Sequence, residues 1–369
     1  MAEGTALEQE LDNIHNTVKF NSNIKNMKRK IISSLMLVMA LASCAKNEIS
    51  NARPEGQDDS GKMEVRISFK TPSAATKALT QDQEDKINSL AVALYAVKGG
   101  ESRLEGYYTF SPSAMEGNIY IDGTKDPDKY IIAAYANHPS ISLNTYAEDW
   151  TFFKDESAGN FQMFGKWEGT ESEILSSAIS IQLRRQCSKV SVNKISLDWI
   201  NPANASKEFL IKGIYLMDVE GAFENIHTFT GSQDWFNKNG YFSSDQDALL
   251  YAPVSNVTVT ESSPYTTRHE FYGYISDLDN INTSATWTKG ASRLVIAAKF
   301  DGRDCFYAVK INRNGLTQIR NTHFSFNNIK ITKPGADTPY GSLIDETAVS
   351  IDFSVKPWES QSFSDVTVE

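Results

Sequence analysis

The side chains that could do chemistry are spread thinly along this chain. The five histidines lack the paired spacing of a zinc site, and they are His15, His138, His227, His269 and His323. Aspartates cluster in DGTKDPD (residues 122–128) and SDQDA (residues 244–248), but neither stretch has the full calcium-ligand ladder with its closing glutamate. Asp and Gly also form tight turns, which is the simpler interpretation. Since no nucleophile elbow, phosphate loop or dinucleotide fingerprint is present, we expect no catalytic residue, metal site or cofactor, and no enzyme.

Two kinds of site that need no contiguous motif stay open. Tryptophans exposed on one face would bind sugars, and the candidates are Trp150, Trp167, Trp235 and Trp287. Aromatic side chains that alternate within strands more often belong to a core. A secreted hydrolase would need two carboxylates at glycosidase separation in a cleft, for which the abundance of Asp and Glu is the only hint.

Cys44 has the surroundings of a thiol that becomes modified. Residues 27–30 are a positive stretch, and residues 31–42 are an apolar run that is shorter than the roughly 20 residues needed to span a bilayer. Small residues then lead into Cys44, which is the order of a secretory signal with a cysteine at the cut. The stretch LASCAK resembles the lipobox of bacterial lipoproteins. This resemblance implies an exported protein whose Cys44 thiol is acylated, for example with palmitate.

The segments around Cys44 follow from this interpretation. We expect Met27 to be the true start, so that residues 1–26 are an upstream read-through or misassigned extension and residues 27–43 the signal peptide. An internal signal anchor behind a small cytosolic segment is the alternative. Residues 44–61 are rich in Asn, Gly, Asp and Ser, which predicts a flexible tether.

The charge balance restricts the partners. The chain has 36 basic and 46 acidic residues and a formal net charge of -10, which repels nucleic acid and anionic lipid headgroups. Membrane attachment must therefore come from the lipid. The two remaining cysteines, Cys187 and Cys305, could pair in an exported protein or be buried as small apolar side chains, and both interpretations stay open.

Period-two alternation of apolar and polar residues predicts an all-β protein. In MEVRISF the apolar side chains of Met63, Val65, Ile67 and Phe69 share one face. Similar runs recur at short spacing with Gly, Asn, Asp and Pro turns, which is typical of β-sandwiches. Only QDQEDKINSL and SQDWFNKNG resemble turns of helix, and a change of parity in HFSFNNIKIT predicts a bulge at Asn327 and Asn328.

Two polar stretches stand out next to predicted strands. Lys77 and Ala78 lie in KTPSAATKALT, a small and polar sequence of the kind that a trypsin-like protease cuts. At the other end, the tail ESQSFSDVTVE (residues 359–369) has apolar positions at Phe363, Val366 and Val368. An unpaired apolar strand at a terminus invites a partner that accepts it.

These segments together resemble the major fimbrillins of Bacteroidales, also called type V pilins. Their pattern is a lipobox, a strand ending near KT, a loop with Arg followed by Ala, then an acidic stretch and L-x-V-x-x-Y. It is matched here by VRISFKTPSAATKALT and EDKINSLAVALYAV. KYIIAAYANHP, NTHFSFNNIKITKPGADTP and SIDFSVKPW match later strands of the family in the same order.

The resemblance implies two tandem Greek-key β-sandwich (transthyretin-like) domains. We expect them at residues 62–186 and 187–369, with a soft boundary because IQLRRQCSKVSVNKISL could be one long strand. The pro-strand and cleavage loop, residues 63–77, would leave after a surface protease cuts between Lys77 and Ala78. The tail of a neighbouring subunit, residues 359–369, would then fill the exposed groove.

Such subunits would form a fimbrium at the cell surface after starting as outer-membrane lipoproteins. The implied partners are other copies of the chain, accessory fimbrial subunits, the trypsin-like protease, and a host or bacterial surface ligand. The family usually has Arg where this chain has Lys77; Arg53 precedes Pro54 and Arg66 lies inside a strand. If Lys77 were not cut, the protein would serve as a lipid-held anchor, and an inert tail would suit a tip adhesin. A lipid-anchored, glycan-binding β-sandwich protein is a further alternative.

Overall fold

Strands dominate the part of the chain that the structure describes. The computed structural model describes residues 62–70, 81–138, 150–152, 155–224, 235–237, 248–276, 278, 289–312, 319–340 and 349–357. The all-β prediction is confirmed, because two pairs of sheets make up most of these residues. Within the described ranges, no helix is both long and apolar enough to cross a membrane.

The first pair of sheets encloses a core built from the earlier part of the chain. One sheet consists of β1 (Lys62–Lys70), β4 (Glu116–Asp122) and β8 (Ile179–Gln182), with β1 in the middle. The other contains β2 (Leu90–Lys98), β3 (Glu101–Phe110), β5 (Lys129–Ala136), β7 (Met163–Gly169) and β9 (Arg184–Arg185), in the spatial order β3-β2-β5-β7-β9. Apolar side chains from both sheets, such as Ile67 and Leu94, meet in one buried cluster, which we call the first core.

The second pair encloses a larger core. One sheet contains β10 (Ser188–Val192), β11 (Ile195–Leu197), β17 (His269–Gly273), β20 (Thr322–Ile331) and β21 (Val349–Pro357). The facing sheet has β12 (Phe209–Met217), β16 (Tyr251–Thr258), β18 (Arg293–Phe300) and β19 (Arg303–Lys310), in the order β16-β12-β18-β19. Phe324 and Phe326 from the first sheet meet Ile214 and Ile296 from the second in the buried cluster. The predicted bulge in β20 is confirmed, since its register with β21 shifts between Phe326 and Asn328.

Short elements complete the described fold. β6 (Trp150–Phe152) pairs with β14 (Ala222–Glu224), and β13 (Val219–Glu220) pairs with β15 (Trp235–Phe236). The helices are α1 (Gln81–Glu84) and α2 (Glu171–Ser176), and a 3₁₀ turn covers Pro202–Asn204.

Of the two segments expected to form turns of helix, the first does so and the second does not. QDQEDKINSL forms only the single turn of α1, and SQDWFNKNG contributes the strand β15 because β13 offers it a pairing edge. Helix α2 is not predicted by hydrophobic periodicity, although Thr170 and Glu173 form a capping box at its start. The segment IQLRRQCSKVSVNKISL is not one strand but passes through β8, β9, β10 and β11, which lie in three different sheets. The domain boundary at residues 186 and 187 stays a prediction.

Strand β2 is buried on both faces, whereas simple alternation predicts one exposed face. Leu90, Val92 and Leu94 face the first core. Ala93 and Tyr95 on the opposite face belong to a separate buried cluster that β5 shares. The polar-out half of the alternation is therefore replaced by Ala and Tyr in this central strand.

Candidate functional site: the first strand and its groove

The apolar face of residues 63–69 lies in the first core. Val65, Ile67 and Phe69 are 2%, 0% and 6% exposed, and Met63 packs partly buried against the same cluster. The side chains between them project from the opposite face, as they must in a strand. Strand β1 thus presents one face to the core and one face to the surface.

Both edges of β1 are hydrogen-bonded to other strands. It pairs antiparallel with β4 over residues 62–68 and parallel with β8 over residues 67–70. Ile67 therefore lies between Gly117 on one side and Ile179 on the other. Removal of β1 would leave the facing N–H and C=O groups of β4 and β8 without partners, which is costly in a buried setting.

The inner side of the groove around β1, which faces the first core, is apolar. Its members are Ile119 and Ile121 of β4, Ile179 and Ile181 of β8, and Leu94 and Ile132 of the facing sheet. The rings of Phe69 and Phe110 meet edge to face with centroids 5.5 Å apart. Burial of a side chain of this size contributes about 1.5–3 kcal/mol, so three of them are comparable to the net stability of a small domain, about 5–15 kcal/mol. An empty groove would therefore favour refilling.

The outer face of β1 carries weaker, polar contacts to β4. Arg66 Nη2 donates to Glu116 Oε2 at 3.0 Å, but the side chains are 66% and 56% exposed. Asn118 donates its side-chain amide to Glu64. Exposed ion pairs contribute about 0–1 kcal/mol, so the buried face rather than this polar face holds the strand.

The predicted cleavage pair, Lys77 and Ala78, lies a short stretch of six residues beyond the end of this strand. Leu183 N donates to Lys70 O at 2.9 Å, which fixes the end of β1. Lys77 and Ala78 lie outside the described residues, which resume at Gln81. The predicted lipid site at Cys44 also lies outside them.

The last described strand lies at the edge of a sheet. β21 runs antiparallel to β20 and has no other partner strand among the described residues. Its Phe353 ring packs 4.8 Å from the ring of Phe326, between centroids. The predicted donor tail with Phe363, Val366 and Val368 lies outside the described residues.

The aspartates of residues 122–128 act in turns. Asp122 Oδ1 accepts from Thr124 Oγ1 at 2.6 Å and from Thr124 N at 3.0 Å, and these bonds lower the pKa of Asp122. Asp128 accepts from Gly99 N at 2.7 Å. No group of three or more His, Cys, Asp or Glu side chains in the described part could hold a metal ion. Residues 244–247 lie outside that part.

Burial of the side chains bears on two alternatives, sugar binding by exposed tryptophans and a disulfide between Cys187 and Cys305. Trp235 is 6% exposed, and Trp167 packs partly buried against the first core. The side chains of Trp150 and Trp287 are outside the description. Cys187 and Cys305 are both free and buried, so they behave as small apolar side chains.

Buried charged residues are the feature that sequence reasoning missed. Glu84 and Lys189 form an ion pair at 2.5 Å with both side chains 0% exposed. Glu156 is also buried; its carboxylate accepts from Gln162 N and Tyr274 OH, each at 2.8 Å, and burial raises its pKa to about 8. No sequence signal marks these sites, since Glu84 and Lys189 are 105 residues apart.

Comparison with known proteins gives likenesses of structure. No family model and no curated protein matches the chain. A fimbrilin from Porphyromonas gingivalis W83 is 17% identical, with a TM-score of 0.54 over 80% of this chain and 97% of that one. A proposed cell adhesion protein from Bacteroides eggerthii DSM 20697 is 12% identical, with a TM-score of 0.54 over 80% of this chain and 96% of that one. A second one, from Parabacteroides distasonis ATCC 8503, is 15% identical, with a TM-score of 0.53 over 81% and 99%. This chain therefore has the β-sandwich fold of these fimbrial and adhesion proteins.

Proposed function

We propose that this protein is a structural subunit, in the stalk, of a cell-surface fimbria that supports adhesion. The observation that carries the proposal is the position of β1, which lies in the middle of a sheet with the side chains of Val65, Ile67 and Phe69 buried. Directly after it comes the sequence that contains Lys77 and Ala78. The likeness of fold to the Porphyromonas fimbrilin supports the same conclusion.

The assembly would proceed by exchange of strands. The precursor, acylated at Cys44, is held at the outer membrane until a trypsin-like surface protease cuts between Lys77 and Ala78. β1 then leaves, and residues 359–369 of a neighbouring copy enter the groove by strand addition. Each contact is head-to-tail without closure, which generates a filament. Accessory subunits and a surface ligand complete the set of partners, and no catalysis, cofactor or nucleic acid is needed.

Whether the protease accepts Lys77 would determine whether the subunit lies in the stalk or at the base of the fibre. A protease that accepts Lys would release the subunit from its lipid and allow a stalk role. A strictly Arg-specific protease would leave the chain intact and lipid-held, which suits an anchor.

The test is limited proteolysis of the purified chain from residue 45 onward with a trace of trypsin. We expect one early cut that gives Ala78 as the new N-terminus, followed by ladders or filaments. The matched control is Lys77→Gln, which should stay a monomer under the same treatment. Filaments from uncut Lys77→Gln protein, or a stable monomer after the cut and loss of β1, would contradict the proposal.

A further inference from the structure

Glu84, close behind the predicted cleavage loop, is bound to the second pair of sheets by buried charges. Its Oε1 contacts Lys189 Nζ at 2.5 Å and accepts from Tyr272 OH at 2.7 Å. Lys189 also pairs with Glu270 at 2.9 Å. Lys189 lies on β10, while Tyr272 and Glu270 lie on β17. Removal of one partner from a buried ion pair strongly destabilises the folded protein, because the other charge is left buried without compensation.

The backbone after Glu84 is held by two further side chains. Arg185 Nε donates to Glu84 O at 3.1 Å. Asn137 Nδ2 donates to Lys86 O, and Asn137 Oδ1 accepts from Asn88 N, each at 2.7 Å. Both Arg185 and Asn137 are buried. Glu84, Lys86 and Asn88 are thus each held by polar contacts, and Ile87 between them packs partly buried against the first core.

The two sides of the predicted cleavage loop are therefore fixed by different means. β1 is held upstream by an apolar face and by sheet pairing. Residues 84–88 are held downstream by an ion pair and by hydrogen bonds. The side chains that make these contacts, Lys189, Asn137 and Arg185, do not belong to β1. Lys86 is exposed, and a trypsin-like enzyme recognises basic residues. Cleavage also requires that the backbone around the site opens locally, because a protease binds an unfolded segment.

We propose that residues 84–88 form an anchor that makes Lys86 a latent cleavage site and keeps proteolysis upstream of it. Through Glu84, this anchor holds α1 against β10 and β17 of the second pair of sheets while β1 departs. The part about β1 rests on the proposed function. The protection of Lys86 rests on the contacts of Glu84 and Asn137 alone.

The test measures the rate of the cut after Lys86 by mass spectrometry of trypsin digests of residues 45–369. Asn137→Gly removes the bonds to Lys86 O and Asn88 N, together with those to Phe161 O and Ser89 N. Glycine keeps the backbone at its φ of 59° free of strain. Glu84→Gln removes the charge, keeps the shape, and leaves Lys189 its contact with Glu270. We expect each variant to raise the rate at Lys86 about tenfold or more, because cleavage follows the population of the opened segment. Glu168→Gln, which alters a surface ion pair with Lys129, is the control and should leave the rate unchanged.

The outcomes separate this inference from the proposed function. Parent protein that is cut at Lys86 as fast as at Lys77, or two folded variants with parental rates, would overturn the anchor while leaving strand exchange intact. Resistance at Lys77 together with faster cutting at Lys86 in the variants would support the anchor and contradict activation at Lys77. Circular dichroism of each variant establishes that it is folded.

Discussion

Individual residues of β1 differ sharply in what they contribute to stability. Ile67 is completely buried, and its neighbour across β4 is Gly117. An added Cβ at Gly117 would lie 2.2 Å from the ring of Phe110, so the glycine gives that ring its place beside Phe69. Lys70, on the same strand, is exposed. Substitutions at these positions should have very different effects.

Ile67→Asp should lower the free energy of unfolding of the uncut monomer by about 4 kcal/mol or more. The reason is that a carboxylate without a partner would be placed in the apolar groove. Phe69→Asp should act in the same direction. Lys70→Asp, the control on the same strand, should change the stability by no more than about 0.5 kcal/mol. Urea unfolding of the chain from residue 45 measures these values. An Ile67→Asp protein with the parent's free energy of unfolding would show that β1 is not buried.

Glu156 should make stability depend on pH in an unusual direction. Its pKa is raised by burial to about 8 from an ordinary value of 4.5, so the folded state binds more protons than the unfolded state between these values. The free energy of unfolding should then fall as the pH rises across this window, by up to about 1.4 kcal/mol per pH unit.

Glu156→Gln removes this contribution, so its stability relative to the parent should rise from pH 5 to pH 8. Urea unfolding at each pH measures it, with the exposed Glu168→Gln as control. Parallel pH profiles for parent and Glu156→Gln would show that the buried carboxyl is not responsible.

Among the elements, β21 precedes the predicted donor tail of residues 359–369. Apolar positions alternate along β21 at Val349, Ile351 and Phe353 in the same way as along β1. However, β21 already pairs along β20 inside its own subunit. Donation of β21 to a neighbouring subunit would therefore break its pairing with β20.

Deletion of residues 359–369 should leave the uncut monomer's melting temperature unchanged and abolish polymers after cleavage at Lys77. The physical reason is that the groove then has no incoming strand. The matched comparison is Val366→Asp against Thr367→Asp, in which the apolar position should matter more. Electrophoresis and electron microscopy of the cut proteins measure assembly. Filaments formed by the truncated chain would exclude the tail as donor and direct attention to β21.

For the whole molecule, the groove should behave as a binding site once β1 has gone. Protein cut at Lys77 and freed of residues 45–77 should melt below the uncut chain. A synthetic peptide of residues 62–70 should raise its melting temperature and block polymerisation, because a ligand that binds only the folded state stabilises it. The same peptide with Ile67→Asp is the control and should do neither. A natural peptide without effect at high concentration would contradict strand exchange.

The sequence alone determined the local features, namely the strands and the bulge, which depend on residues that are close together in the chain. Alternation in residues 63–69 predicts a strand with one buried face because successive side chains of a strand point to opposite sides. The parity change near Asn327 predicts the bulge for the same reason. The pattern of SQDWFNKNG predicts a turn of helix, whereas Trp235 and Phe236 form a strand. The reason is that their pairing edge lies in β13, outside the range of any local pattern.

Only the tertiary structure decided what joins distant residues. It placed β1 between β4 and β8, which lie about 50 and 110 residues further along the chain, and it brought Glu84 to Lys189. Sheet order and buried ion pairs depend on contacts between segments whose partners no local periodicity names. The strand that is predicted to leave was therefore readable from residues 63–69, whereas its groove and the anchor behind the cleavage loop required the folded chain.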